Sequence, residues 1–202
     1  MKNLKIMSLL LGGLLSLGGL TSCGKDEAEV LTAKSATAEY VVNLNQELLN
    51  VADVTIYYID SNGQQAQETV TSGKWTKTVN FTKLPVDAGF SVQPRLKGEP
   101  TQEAYTIEAD GKMTITVLDQ HAATLGNPYK GNKLEAKGQL GPNFLGQFMT
   151  RIGIRVAEAK AIAADGTIAT TTITWGGNDD DKDPNRDIEV NSEGATGTTR
   201  SK

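Results

Sequence analysis

From about residue 36 to residue 118, apolar and polar residues alternate with a period of two. This alternation is typical of β-strands that are buried on one face, and no stretch keeps helical periodicity for three turns. The runs follow one another at short, regular spacing, which predicts an all-β antiparallel sandwich of roughly seven strands. Their apolar positions are Tyr40, Val42, Leu44, Val54, Ile56, Tyr58, Trp75, Val79, Phe81, Phe90, Val92, Leu96, Tyr105, Ile107, Met113, Ile115 and Val117.

Glycine-containing turn signals separate several of these runs. Ser61-Asn62-Gly63 predicts a turn, and Asp110-Gly111 predicts the tip of a hairpin between Tyr105 and Val117. The reason is that glycine accepts the positive φ angle that such turns need. Asp165-Gly166 predicts a further hairpin tip. Both hairpins place Ala-Asp-Gly at the tip, which suggests an internal repeat, although hairpins share such turns for chemical reasons alone.

One segment in the middle of the chain resembles a known family. Leu84-Pro85-Val86-Asp87-Ala88-Gly89-Phe90-Ser91-Val92-Gln93 is similar to the part of fibronectin type III domains where a Leu-Pro turn leads into an aromatic-x-Val strand. The family usually has Tyr at the aromatic position, and its hydroxyl bonds back to the backbone. Phe90 cannot make that bond. The resemblance therefore implies an immunoglobulin-like β-sandwich in general, with additional C-terminal strands.

Beyond residue 118 the pattern is less regular. Gly and Pro residues mark irregular connections, while the alternation of Ile152, Ile154 and Val156 predicts a strand. We expect 119–177 to be an additional β-hairpin region on the same domain as the 35–118 sandwich, with a second small β-unit as the alternative. Residues 178–202 have almost no apolar side chains, which predicts a disordered acidic tail.

The N-terminus has the organisation of an export signal. Basic residues at positions 2 and 5 precede an apolar run from Ile6 to Leu20, which is too short for the ~20 residues of a membrane-spanning helix. The run ends in Leu20-Thr21-Ser22-Cys23, which resembles the lipobox of bacterial lipoproteins. The resemblance implies that residues 1–22 are a signal peptide, that Cys23 carries the lipids, and that residues 23–34 include a flexible tether.

The residues after the lipobox resemble a sorting signal. Lys25, Asp26 and Glu27 are similar to the Lys followed by two acids that exports surface lipoproteins of Bacteroidetes. This resemblance implies a lipid-anchored protein of the outer membrane that faces the medium. The periplasmic face is the alternative.

Composition excludes several classes of function. Removing residues 1–22 takes away Lys2 and Lys5 and leaves 18 basic against 24 acidic residues. A chain of this charge has no basic stripe for nucleic acid. A single Cys and a single His exclude an internal disulfide and zinc sites built from several such ligands. His121 is the only candidate base for a Ser-His-Asp triad, and no Gly-x-Ser-x-Gly motif accompanies it.

Three further sets of residues are candidate sites. The acidic tail places carboxylates with the spacing of a calcium loop, but Pro184 and Val190 stand where Gly and Glu are needed. These calcium candidates are Asp179, Asp181, Asp183 and Asp187. Candidate carboxylates for glycan hydrolysis are Asp87, Glu99, Glu103 and Glu108, and nothing in the sequence pairs them. Parity places Trp75 and Trp175 in the core, and leaves Tyr57 and Tyr129 as the exposed aromatics that could stack on sugars.

These features predict a non-enzymatic lipoprotein without a cofactor. Its partners are the membrane, through the lipid anchor, and a glycan or an envelope protein, through a β-sandwich module for binding or assembly. The alternative is a periplasm-facing lipoprotein with a structural or accessory enzymatic role in envelope maintenance. A small hydrolase is a third hypothesis.

Overall fold

A computed structural model describes residues 29–176 and 188–191 and confirms the predicted all-β sandwich. The strands are β1 (Ala33–Leu44), β2 (Ala52–Ile59), β3 (Gln65–Val70), β4 (Lys74–Phe81), β5 (Val86–Leu96), β6 (Tyr105–Asp119), β7 (Tyr129–Lys130), β8 (Leu134–Leu140), β9 (Ala157–Ile162), β10 (Ile168–Thr170), β11 (Thr172–Trp175) and β12 (Ile188–Asn191). The helices are α1 (Gln46–Val51) and α2 (Pro142–Arg155). Neither helix of the described residues is long and apolar enough to cross a membrane.

Both sheets combine strands from the two halves of the chain. Sheet A has the order β4-β1-β6, and both β7 and β8 pair with the other edge of β6. Sheet B has the order β10-β9-β5-β2-β3. The pairs β1–β4 and β2–β5 match the B–E and C–F pairs of immunoglobulin folds. The connectivity differs, because the strand beside β1 on its other side is β6, which follows β5 in the chain.

The core lies between the inner faces of the two sheets, where the predicted alternation holds. Tyr40 is at its centre, with ring centroids 5.9 Å from Phe90, 6.4 Å from Trp75 and 6.5 Å from Tyr58. Its hydroxyl accepts a hydrogen bond from the Gly89 N–H at 3.3 Å. Burial raises the pKa of Tyr40, so the phenol stays neutral. The prediction that Trp75 belongs to the core is confirmed.

The predicted hairpin at Asp110-Gly111 is wrong, because β6 passes through it as one continuous strand of 15 residues. Gly111 pairs with Val42 on one side and Leu134 on the other. A Cβ atom there would lie 2.7 Å from the ring of Phe90 in the opposite sheet. Glycine is therefore needed for close packing of the sheets rather than for a turn.

The second glycine signal of this kind does form a turn. Asp165-Gly166 connects β9 to β10, with Gly166 at φ 86° and the Thr167 N–H donating to Asp165 Oδ1 at 2.9 Å. The two Ala-Asp-Gly segments thus have different conformations, and an internal repeat is not supported. The turn at Ser61-Asn62-Gly63 is also confirmed, with Gly63 at φ 74°.

The strand predicted from Ile152, Ile154 and Val156 is wrong, because α2 covers this stretch. Pro142 is at the start of the helix, where its fixed φ angle and missing N–H cost nothing. Side chains spaced three and four residues apart then share one buried face, and they are Leu145, Phe148, Met149 and Ile152. Ile152 lies on this buried face, and Val156, which caps the end of the helix, is buried as well, so neither is in a strand.

The helix α2 closes one side of the sandwich. It lies beside the C-terminal half of β5, where the Ser91 hydroxyl is 3.4 Å from the Gly153 carbonyl oxygen and the Val92 N–H donates to Val156 O at 3.1 Å. It also contacts β8 of sheet A. The helix therefore links the two sheets.

Part of the outer face of sheet B, around Gly89 and Tyr57, is also covered. Trp175 of β11 is fully buried, as predicted, and a Cβ atom at Gly89 would lie 3.1 Å from its ring. Tyr57, which was expected to be exposed, is only 9% exposed. That expectation is wrong because this part of the outer face of sheet B is covered rather than wet. The structure also differs from the predicted disordered tail at Ile188–Asn191, which pairs with β11.

Candidate functional site

The sandwich has two distinct ends. Ala33, where β1 starts, pairs with Asp119 at the end of β6. At the opposite end, β1 leads into α1, and β5 leads into the loop of residues 97–104. We call this opposite end the distal end.

A cleft of about 340 Å³ opens at the distal end. Apolar side chains from four separate segments line its inner part, namely Val51, Leu96, Tyr105 and Leu145. Asn50 and residues 97–102 form the rest of its lining. The cleft thus combines an apolar inner surface with a polar rim, which is the general composition of binding pockets.

Hydrogen bonds to and from the backbone hold the walls of the distal cleft. The Lys97 N–H donates to Val51 O at 3.0 Å, and Lys97 Nζ donates to Leu49 O at 2.6 Å. The Gln102 N–H donates to the Tyr105 hydroxyl at 2.7 Å. The loop is therefore attached to α1 on one side and to β6 on the other.

The two charged side chains at the rim of the cleft, Lys97 and Glu99, differ in their partners within the protein. Lys97 Nζ is already bonded to a carbonyl and lies 4.0 Å from Asp53 Oδ1. Glu99 is exposed, and it forms no ion pair or hydrogen bond within the described residues. The side-chain amide of Gln102 likewise has no protein partner in the described part of the chain. Within the described residues the rim therefore offers one unpaired carboxylate, Glu99, and one free amide, Gln102, whereas Asn50 Oδ1 already accepts from Gln46 Nε2 at 2.9 Å.

A buried carboxyl group lies at one open side of the sandwich, between β7 and β9. Glu158 is 5% exposed and points to the inner face of sheet B beside Phe90. The Tyr129 hydroxyl donates to Glu158 Oε1, whereas Oε2 has no partner. A Cβ atom at Gly131 would lie 2.6 Å from Oε2. Burial raises the pKa of Glu158, and the Tyr129 hydrogen bond offsets this only in part.

A second carboxylate lies at the other open side, between β3 and β4. Glu68 accepts hydrogen bonds from Lys77 Nζ at 2.6 Å, from Trp75 Nε1 at 2.8 Å and from the Tyr58 hydroxyl at 3.0 Å. These donors, Lys77 first, lower the pKa of Glu68. Charges that point inward from edge strands hinder edge-to-edge association of sheets. This cluster therefore connects the two sheets and protects both edges.

Several residues singled out from the sequence lie outside the described residues. They are Cys23, Lys25, Asp26 and Glu27 of the N-terminal segment, and the calcium candidates Asp179, Asp181, Asp183 and Asp187. Among residues 29–176 and 188–191, no three His, Cys, Asp or Glu side chains gather where they could hold a metal ion.

The candidate catalytic residues are spread over the sandwich. Asp87 is at the start of β5, Glu99 and Glu103 are in the loop after β5, and Glu108 is on β6. His121 is exposed in the turn after β6, and its backbone N–H donates to Asp119 Oδ1 at 2.8 Å. Tyr129, a candidate sugar platform, is half-buried and serves as the hydrogen-bond donor of Glu158.

The structure also shows two features that the sequence interpretation missed. Glu158 has the same strand parity as Ile162, which was a signal for an inward-pointing side chain. The distal cleft had no comparable signal, because its residues come from distant parts of the chain. Comparison of the chain with family models, curated proteins and solved structures finds no match.

Proposed function

We propose that this protein is a lipoprotein, anchored by lipids on Cys23, whose β-sandwich is a non-enzymatic module for binding or assembly at the cell envelope. The observation that carries the proposal is the lipobox-like Leu20-Thr21-Ser22-Cys23 after a basic and apolar leader. Several acyl chains on one cysteine hold a protein on a membrane far more firmly than one chain.

The geometry of the described domain supports this proposal. Nine residues separate Cys23 from Ala33 at the start of β1, so the ten Cα–Cα steps of an extended chain span at most about 35 Å between them. The distal cleft lies at the other end of the sandwich. An anchor at Cys23 thus tethers one end and leaves the cleft end available to partners.

Binding is favoured over catalysis by the chemistry of the cleft. Its described lining contains no His or Cys, and its only acid is Glu99. Glycan hydrolysis needs two carboxyl groups on either side of the scissile bond. The lining supplies polar and apolar contacts instead.

Lipid labelling tests the anchor. Cells grown with an alkyne-bearing palmitate are expected to label the wild-type protein, and Cys23→Ala is expected to abolish the label and release the protein from membranes. Ser22→Ala keeps a small residue at the cleavage site and is the matched control, which is expected to stay labelled. Persistent labelling of Cys23→Ala would overturn the proposed anchor.

Protease treatment of intact cells tests the side of the membrane. We propose surface display, on the basis of Lys25, Asp26 and Glu27, so external protease is expected to remove the domain. Replacing these three residues by Ala is expected to protect it, because the protein then stays on the periplasmic face. Protection of the wild-type protein would favour the periplasmic alternative.

A further inference from the structure

Residues 126–133 form a strap across the open side of the sandwich where Glu158 lies. The strap is attached to β6 through the two-residue strand β7 and through the Gly131 N–H, which donates to Met113 O at 2.8 Å. Six of its eight residues are exposed, and the other two are half-buried. Segments with few buried contacts and few backbone hydrogen bonds open locally at low cost in free energy. The strap therefore has the features of a segment that opens while the two sheets stay folded.

The closed strap keeps water away from the carboxyl group of Glu158. That residue is 5% exposed, with the Tyr129 hydroxyl donating to Oε1 and no partner for Oε2. A Cβ atom at Gly131 would lie 2.6 Å from Oε2, so the backbone of the strap lies directly on this oxygen. A buried carboxyl group with one donor is tolerated as the neutral acid, whereas the ionised form needs further donors. Movement of the strap would admit the water that supplies them.

Two other titratable side chains face this carboxyl group, Tyr129 from the strap and Lys160 from β9. Burial raises the pKa of the Tyr129 phenol, so the phenol remains a donor. Lys160 Nζ lies 4.9 Å from the centre of the Tyr129 ring, and its charge lowers the pKa of Glu158 less than burial raises it. On β5 and β6, the neighbouring residues Phe90 and Met113 are uncharged. The surroundings therefore favour a protonated carboxyl group while the strap is closed.

We propose that residues 126–133 are a pH-sensitive strap, which lies closed over Glu158 while the carboxyl group is protonated and opens when it ionises. Below the ordinary pKa of 4.5 the carboxyl group is neutral whether the strap is open or closed. As the pH rises, the open form releases the proton first, so opening becomes progressively more favourable. Opening also leaves β6 unpaired at Thr114 and Ile115, and an unpaired strand edge is a template for another strand. The strap goes beyond the proposed lipid anchor and does not depend on it.

Hydrogen exchange followed by mass spectrometry tests the strap directly. The full chain, purified in detergent, is exchanged at pH 5 and pH 8, and each rate is corrected for the intrinsic exchange rate at that pH. Protection of peptides from residues 126–133 is expected to fall about tenfold from pH 5 to pH 8, because an unpartnered buried charge costs at least that factor. Peptides from β1, inside sheet A, are expected to keep their protection.

Variants of the carboxyl group assign the effect. Glu158→Gln is expected to keep the strap equally protected at both pH values, because its side chain does not ionise. Glu158→Ala also lacks the carboxyl group and is expected to lose the pH dependence, so the test does not depend on one variant. Glu108→Gln removes an exposed carboxylate on β6 and is the matched control, which is expected to behave like the wild type. Thermal unfolding shows that each variant is folded.

Three results would overturn the proposal. The first is equal protection of the wild-type strap at pH 5 and pH 8. The second is a loss of protection at pH 8 that persists in both Glu158→Gln and Glu158→Ala, which would assign it to another group. The third is an equal loss of protection in the peptides from β1, which would show unfolding of the whole sandwich rather than opening of the strap.

Discussion

Replacing Glu158 by Gln is expected to stabilise the sandwich at neutral and alkaline pH. Gln keeps the shape of the side chain and an acceptor for the Tyr129 hydroxyl, and its amide nitrogen takes the place of the unpartnered Oε2, so the change replaces an unpartnered charged group by an unpartnered neutral one. A buried polar group without a partner costs about 1–3 kcal/mol, and a charged one costs more. We therefore expect a gain of about 2 kcal/mol in the free energy of unfolding, or about 4–8 °C in Tm.

The sign of the pH dependence follows from the raised pKa of Glu158. Below its ordinary value of 4.5, the carboxyl is neutral in both folded and unfolded chains and contributes no difference. As the pH rises above 4.5, the unfolded chain releases the proton first, so this group makes the folded state progressively less stable. The gain from Glu158→Gln is therefore expected to appear as the pH rises and to vanish near pH 4.

Urea unfolding at a series of pH values measures this effect through the fluorescence of the two buried tryptophans. Glu108→Gln removes one charge from an exposed position on β6 and serves as the control, with no gain expected. Equal stabilisation by Glu158→Gln at pH 4 and pH 8 would show a packing effect and refute the argument from charge. Destabilisation at pH 8 would refute it as well.

Three other substitutions test the fold. Glu68→Ala is expected to cost about 1–3 kcal/mol, because the Trp75 indole N–H loses its acceptor, and the loss is expected to diminish as acid protonates Glu68 in the wild type. Gly111→Ala is expected to cost about 1–3 kcal/mol through overpacking, whereas Gly98→Ala, with nothing within 4 Å, is expected to be nearly neutral in thermal unfolding. Gly146→Ala, on an exposed position of α2, is expected to stabilise by about 1 kcal/mol in urea. A neutral Gly111→Ala, or a destabilising Gly146→Ala, would contradict the packing described for these positions.

The strands of the first half were predictable because each has one buried and one wet face. The inward positions of β1 and β2 are those that alternation selects, Tyr40 and Val42 in the first and Ile56 and Tyr58 in the second. Gly111 misled the prediction, because the sequence does not distinguish a glycine that needs a positive φ from one that lies against a neighbour. That neighbour, Phe90, is in the opposite sheet.

The helix α2 was a different kind of error. Pro142 is typical of a helix start. The apolar residues after it have the spacing of one buried helical face, at Leu145, Phe148 and Ile152. The alternation of Ile152, Ile154 and Val156 at the end of this segment resembles a strand, although it falls within the longer helical pattern. The distal cleft could not be predicted at all, because α1, β5, β6 and α2 meet there only after the chain has folded.

The two carboxylates at the open sides of the sandwich show how similar positions acquire opposite properties. Glu68 and Glu158 both point inward from sheet B and both meet groups of sheet A. Glu68 has Lys77 as a partner, so its pKa falls and its contribution is present above its ordinary value of 4.5 and lost as the pH falls. Glu158 has a phenol as its donor, and burial raises its pKa, so its contribution is unfavourable once the pH rises. The two groups together therefore favour greatest stability at mildly acidic pH, and Glu158→Gln is expected to move that maximum toward alkaline pH.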